Sequence, residues 1–268
     1  MDLWLAAVII VGAAAVSVAG MLVVRERAPA GGYFRDRVPA GAVYTVVGTA
    51  YMVVLAFVFF VAFESYHGAK SDAEDEATAV LAMFHTVGPF TPKSRDQLQG
   101  QMMCYAREVI SKEWAAMRDG KTSPVVEARV TALEEHAERM PVSGSKQSDA
   151  YAQWFSLNEE RRKARQGRIA EAAPLVPPLI WLILIVGAAV VIATAGLFAD
   201  PEEARVPQAA MIAAVAAIVV SGLLLVWFLD RPYENKSGSI KPTAMTRSLA
   251  LMQEAPQVRN HQVVMPCT

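Results

Sequence analysis

Four stretches of the chain, 3–24, 42–63, 175–198 and 209–229, contain no Asp, Glu, Lys, Arg or His, and each is 21 to 24 residues long. A helix rises about 1.5 Å per residue, so each covers roughly 30–36 Å, enough to cross a bilayer core of about 30 Å. A soluble core helix rarely needs so long an unbroken run. The pattern predicts an all-α membrane protein with four transmembrane helices, in two pairs flanking a helical cytoplasmic domain. The expected division is 1–63 for the N-terminal pair and 64–174 for the helical domain. The C-terminal pair then takes 175–229, and 230–268 follow as a cytoplasmic tail.

The middle segment reads as helix throughout. The second apolar stretch has no breaker at its end: Ala77, Val80, Leu81, Phe84 and Val87 continue at helical spacing beyond Glu64-Ser65-Tyr66. Gly68 weakens this run, and the acidic residues 71–76 suit a first helical turn. After Gly88-Pro89 and Thr91-Pro92, the positions Leu98, Met102, Tyr105, Val109, Trp114 and Met117 mark a second helix, which Asp119-Gly120 stops. A shorter amphipathic segment covers 125–140. A last helix begins near Ser148, carries Tyr151, Trp154, Phe155 and Leu157, and continues through the basic run 161–168 to Pro174. Tyr105, Trp114 and Trp154 fall on apolar faces and are expected to be buried.

Composition agrees, with 54% hydrophobic and 19% charged residues. Lys and Arg near the stretches set orientation. Arg25, Arg27, Arg35, Arg37 and Arg205 flank the two short loops. Lys70, the run Arg161, Arg162, Lys163, Arg165 and Arg168, and then Arg231, Lys236, Lys241 and Arg247 flank the middle segment and tail. Ten against five favours a cytoplasmic middle domain and termini. The first stretch, taken alone, has its bases on the opposite flank. It starts Met1-Asp2-Leu3-Trp4, without the basic lead of a signal peptide, and is expected to be retained. Cys104 lies in an apolar helix pattern and Cys267 beside Thr268, so both are expected as free thiols.

Catalytic chemistry finds little support. His67, His85, His136 and His261 form no zinc-type spacing with one another or with cysteine, and Glu134-Glu135-His136 lacks the second histidine of a zinc protease motif. Ser143-Gly144-Ser145 lies in a polar loop with no leading strand. The expectation is a non-enzyme with no catalytic residue, no metal, no cofactor and no nucleic-acid partner. Ion-coupled transport is also poorly supported, since the four stretches hold no ionisable residue.

A family resemblance rests on the layout of two spans, a helical insert and two spans, with local motifs. These are Ala56-Phe57, Glu64-Ser65-Tyr66, the Glu74/Glu76 turn, Tyr105, Glu113-Trp114 with Met117, and Arg161-Arg162 with Arg165 and Arg168. Pro177-Pro178 with Trp181, then Asp230-Arg231-Pro232-Tyr233, Gly238, Ile240 and Pro242 complete them. Over about 42–245 the chain resembles the bacterial bestrophin-like domain proteins; the aromatic after Pro232 is usually Phe, and here it is Tyr233. More distantly the layout is similar to bestrophins. That likeness implies a homo-oligomeric anion channel, pentameric in bestrophins, here in the plasma (inner) membrane. No match to the bestrophin calcium clasp is present.

Candidate site residues follow. A passive pore can be lined by small polar and apolar groups and gated by an apolar constriction. In the second stretch, Thr45, Thr49, Met52, Ala56, Phe59 and Phe63 fall near one face. The competing reading has the threonines bonding to their own helix and the rings facing lipid. Arg161, Arg162, Lys163, Arg165 and Arg168 would hold anionic lipid heads, concentrate anions at a pore mouth, or simply mark the cytoplasmic flank. Glu113 beside Trp114 is expected to meet Arg161 or Arg162. Asp230 and Arg231 would form a structural clamp where the fourth stretch ends, or snorkel at the interface. Two functions stay open: the channel, and a non-conducting scaffold or sensor acting through the helical domain.

Overall fold

The computed structural model describes residues 3–29, 32–34, 36–255, 258, 263 and 267. Met1, Asp2, Arg35, His261, Thr268 and the side chain of Arg37 lie outside the described residues. Described residues are helical or irregular, with no strand among them. The helices are α1 (Leu3–Arg27), α2 (Arg37–Thr86), α3 (Pro92–Glu108), α4 (Trp114–Met117), α5 (Pro124–Glu138), α6 (Ser145–Ala170), α7 (Pro178–Leu197), α8 (Arg205–Leu229) and α9 (Thr243–Glu254). α1, α2, α7 and α8 are each long and apolar enough to cross a membrane.

The chain divides into two units. One comprises 1–65 and 175–230; the other comprises 66–174 and 231–268. In the first, α1 packs on α7 and α8, and α7 packs on α8. Two glycines let α2 approach. A side chain at Gly187 of α7 would meet the Tyr51 ring, and one at Gly222 of α8 would meet Leu55. Close backbone approach through small residues is the usual basis of helix association in lipid. At one end Arg25 donates to Gln208 Oε1 and to the Pro201 carbonyl, each at 2.8 Å, and so caps the loop before α8. Phe57, Phe60, Leu182, Ile183, Val186 and Ile218 stay exposed, as lipid-facing positions require.

In the second unit the apolar stripes of α2, α3, α5 and α6 close one core around Phe84, Leu98, Met102, Tyr105, Leu133 and Trp154. Tyr105, Trp114 and Trp154 are buried, as expected. Thr91 caps α3 by accepting from the Ser94 N–H, and Pro92 sits at its first turn, where a missing N–H is harmless. Gly120 follows α4 with φ +66°, a conformation that disfavours other residues.

Three findings differ from the sequence reading. The acidic residues 71–76 lie inside α2 rather than at a helix start, because the helix runs unbroken past Gly68. The segment after 230 is no separate tail: Tyr233, Ile240, Met245 and Met252 enter the second unit's core, and α9 presents Met245, Ser248 and Met252 inward. Cys104 and Cys267 are not free thiols. They are bonded to each other, with Cα atoms 5.5 Å apart, because Cys267 lies beside Cys104 of α3 despite a separation of 163 positions.

Candidate functional site

On α6 the residues Trp154, Asn158, Arg161, Arg165 and Arg168 alternate at steps of four and three, and all are buried. That is the spacing of a helix seam, so this stripe faces the interior. Three arginines thus stand where apolar residues are usual, and each needs a partner. Across from them, Tyr105 and Glu113 project from one continuous helical segment. An α-helix drifts by about 40° every four residues. A π turn over Val109–Glu113 holds one extra residue and takes up this drift, keeping Glu113 and Met117 inward. Glu76 comes from α2 and is fully buried.

The partners interlock. Arg168 donates from Nε to Glu76 and from Nη2 to Glu113 at 2.7 Å. Arg165 donates to the other Glu113 oxygen and, at 3.0 Å, to Glu127. Arg161 donates to Asn158 at 2.9 Å, to Glu134 at 3.1 Å and to the Tyr105 hydroxyl at 3.3 Å. The Tyr105 hydroxyl in turn donates to Glu76. The Arg168 guanidinium lies over the Trp114 ring at 4.9 Å, and Arg161 over Tyr105 at 5.1 Å. Such charge-assisted bonds in a dry interior are strong only when every member is matched.

The electrostatics fix the protonation states. Burial pushes the Tyr105 phenol up, and Glu76 adds to it, so Tyr105 remains a donor at neutral pH. Burial also works against the charge on Glu113. The Arg165 hydrogen bond and the charges of Arg168 and Arg165 outweigh it and hold Glu113 below the usual carboxylate range. Burial opposes the charge on Arg168, but Glu76 and Glu113 hold it firmly protonated. The groups are committed to one another, which suits a rigid frame rather than proton transfer. Among the described residues there is no group of three metal-ligating side chains.

The structure therefore separates the basic run. Arg161, Arg165 and Arg168 are buried in ion pairs. Only Arg162 and Lys163 are exposed and open to lipid heads or anions, and Arg162 meets Glu159 at 3.0 Å. Glu113 bonds Arg165 and Arg168 rather than Arg161 or Arg162, because the α6 seam brings those two to its carboxylate. Of the Asp230-Arg231 pair, Asp230 does the tying. Its buried carboxylate accepts the N–H groups of Leu175 and Val176 at 2.8 and 2.9 Å, just before α7. Arg231 stands 3.9 Å from Glu234. The sequence does not single out Glu76 as a site residue; the core spacing of the α6 arginines is the signal that buried acids must face them.

The second candidate is the outer face of α2. Tyr51, Leu55, Val58 and Ala62 are buried against the first unit. At 3.6 residues per turn, Thr45, Thr49, Met52, Ala56, Phe59 and Phe63 centre about 110° around the helix from that face. Thr45, Thr49, Met52, Ala56 and Phe63 are exposed and Phe59 half-buried, so this uncharged strip is turned away from the protomer's own packing. Thr45 donates back to the Gly41 carbonyl at 2.9 Å. The rings of Phe59 and Phe63 stack with centroids 6.2 Å apart.

Residues 11–245 match the Bestrophin-like domain family. The fold is similar to crystal structures of a bacterial bestrophin homolog from Klebsiella pneumoniae. A point variant of it gives a TM-score of 0.71 at 13% identity, covering 92% of this chain and 99% of that one. The form phased on zinc gives 0.67 at 12% identity, covering 91% and 98%. A crystal structure described as a membrane protein, with an alanine substitution, gives 0.71 at 14% identity over 92% and 99%. No curated protein matches the chain.

Proposed function

This chain belongs to the Bestrophin-like domain family, and on that premise we propose that it is a passive anion channel, assembled from several copies in the plasma (inner) membrane. One protomer offers four spans, too few to enclose a pore, so conduction requires an oligomer. The observation that carries the reading is the uncharged face of α2, which the protomer leaves uncovered from Thr45 to Phe63. In a ring of copies, Thr45 and Thr49 supply hydroxyls along the path. Phe59 and Phe63, already stacked, form the narrow apolar point where a pore can close by dewetting. Arg162 and Lys163 are the exposed bases of the α6 run and supply local positive potential.

The test is oligomeric state and chloride flux on one purified sample in liposomes. Phe63→Ala is expected to raise flux by widening the constriction, and Thr49→Val to lower it or change ion preference. A monomer removes the channel reading. An oligomer that conducts, but whose flux no α2 substitution changes, has its pore elsewhere. Absence of conduction from wild type and Phe63→Ala alike favours a non-conducting scaffold or sensor.

Orientation is part of the proposal. The flanking bases favour a cytoplasmic second unit. The Cys104–Cys267 bond favours the opposite face, because disulfides persist mainly in oxidising compartments. A single reporter cysteine at Ser145, in a variant lacking the native pair, decides between them. Labelling only after the cells are opened is the expected result; labelling of intact cells reverses the orientation.

A further inference from the structure

The second unit holds a pair of carboxyls, Asp72 and Glu171, that lie outside the ion pairs of the buried arginine network. On α2, Gly68 and Asp72 lie one turn apart; at the end of α6, Gly167 and Glu171 do the same. The two pairs are seated reciprocally. A side chain at Gly68 would stand 2.5 Å from Glu171 Oε1, and one at Gly167 would overlap the Asp72 carboxylate. Each acid thus rests on the bare backbone opposite, in space that only glycine leaves open. This seating leaves the two carboxyls on the same α2–α6 contact, near enough for the charge of Asp72 to act on Glu171. Glu171 Oε2 is buried and has no hydrogen-bond partner among the described residues. A buried acceptor with nothing to accept is costly as a carboxylate but becomes a donor once protonated.

We propose that Asp72 and Glu171 form a proton-sensitive latch between α2 and α6, closed while the pair holds a proton and loosened when both are charged. The step is a simple acid dissociation: the pair gives its proton to solvent, and two adjacent negative charges then repel across the glycine contacts. A part-buried carboxyl with a second carboxylate nearby gives up its proton late. Burial, and then the charge of Asp72, push Glu171 up to about 7. Burial, Asp75 and Glu76 push Asp72 up, with Arg168 opposing.

Of the other charges around the pair, Arg168 acts against the shift of Asp72 but is already engaged by Glu76 and Glu113. On α2 the charges are Asp75 and Glu76, and Glu76 is already bonded to Arg168. On α6, Arg168 is shared between Glu76 and Glu113, while Glu160 and Lys163 line the groove beside Asp72 and Asp75. From the segment after the fourth span, Tyr233 feels both carboxylates, is pushed up by its own burial, and donates to the Ala69 carbonyl at 3.0 Å. Arg118, Asp119, Arg231 and Glu234 surround the neighbouring hollow by Tyr233 and Ala172.

An acid raised in the closed state stabilises it fully below its ordinary value, about 4.3, and loses that contribution as pH rises through about 7. Hydrogen exchange of the purified full chain in detergent micelles, from pH 5 to 8.5 and corrected for the intrinsic rate, reads this directly. The opening constant of amides 68–76 and 165–171 is expected to rise on the order of tenfold per pH unit up to about 7, then level off. Glu171→Gln is expected to flatten the profile, because the amide cannot ionise. Asp72→Asn is expected to move the step to lower pH, and it keeps the test alive should the glutamine variant fail to fold. A wild-type profile without a step, or an unchanged step in Glu171→Gln, overturns the latch. The readout needs no conduction, so failure of the channel reading leaves it standing.

Discussion

Arg168→Met is expected to destabilise the second unit by about 3–5 kcal/mol, the usual effect of removing one partner from a buried ion pair. Arg168 is fully buried, and it joins two fully buried carboxylates, those of Glu76 and Glu113. Methionine fills much of the stem volume but supplies no donor. Glu113 keeps Arg165, whereas Glu76 keeps only the Tyr105 hydroxyl. The stranded charge on Glu76, rather than lost packing, is the main source of the effect. Adding Glu76→Gln should therefore recover a good part of the loss, since the neutral amide is easier to bury. Chemical denaturation of the single and double variants measures both numbers. A double variant as unstable as the two losses summed would show that the pair is not coupled.

Trp114→Ala is expected to lose about 3–5 kcal/mol as well, through a different mechanism. The indole is 5% exposed and meets Tyr233 edge-on at 5.6 Å. It also carries the Arg168 guanidinium and donates to the Ile240 carbonyl at 3.2 Å. Alanine leaves a cavity at the point where the segment after the fourth span joins the core. Trp114→Phe retains most of the packing and strands the Ile240 carbonyl, for about 1–3 kcal/mol. The same denaturation experiment ranks the two. Wild-type stability for the alanine variant would contradict the burial on which the argument rests.

Much of the architecture is legible in the chain because its signals are local. Runs of 21 to 24 uncharged residues predict spans whatever surrounds them; α1, α2 and α8 cover three of these runs, and α7 takes Pro178–Leu197 of the run 175–198. Helical spacing likewise marks Leu98 to Met117 and the faces that bury Tyr105, Trp114 and Trp154. The α9 helix carried a readable signal too, with Met245, Ser248 and Met252 at helical spacing. What spacing cannot supply is the partner.

The basic run shows this most clearly. From sequence, Arg161 to Arg168 reads as a solvated flank, because isolated arginines are almost never buried. Its inward stripe of three follows from the 4-3-4-3 spacing with Trp154 and Asn158, but only the fold reveals which acids wait opposite. Glu76 lies 92 positions away from Arg168 and Glu113 lies 55 away. Cys104 and Cys267 are 163 apart, and no local pattern couples them. No local pattern couples Asp72 with Glu171 either; Gly68 and Gly167 give each carboxyl its seat on the element opposite. By itself the sequence determined the four long apolar helices and the apolar faces of the middle segment, since hydrophobic burial and helix periodicity act over a few turns. The tertiary structure decided which charges neutralise each other and which are left to repel, because Coulomb pairing and desolvation depend on distance through space and not along the chain.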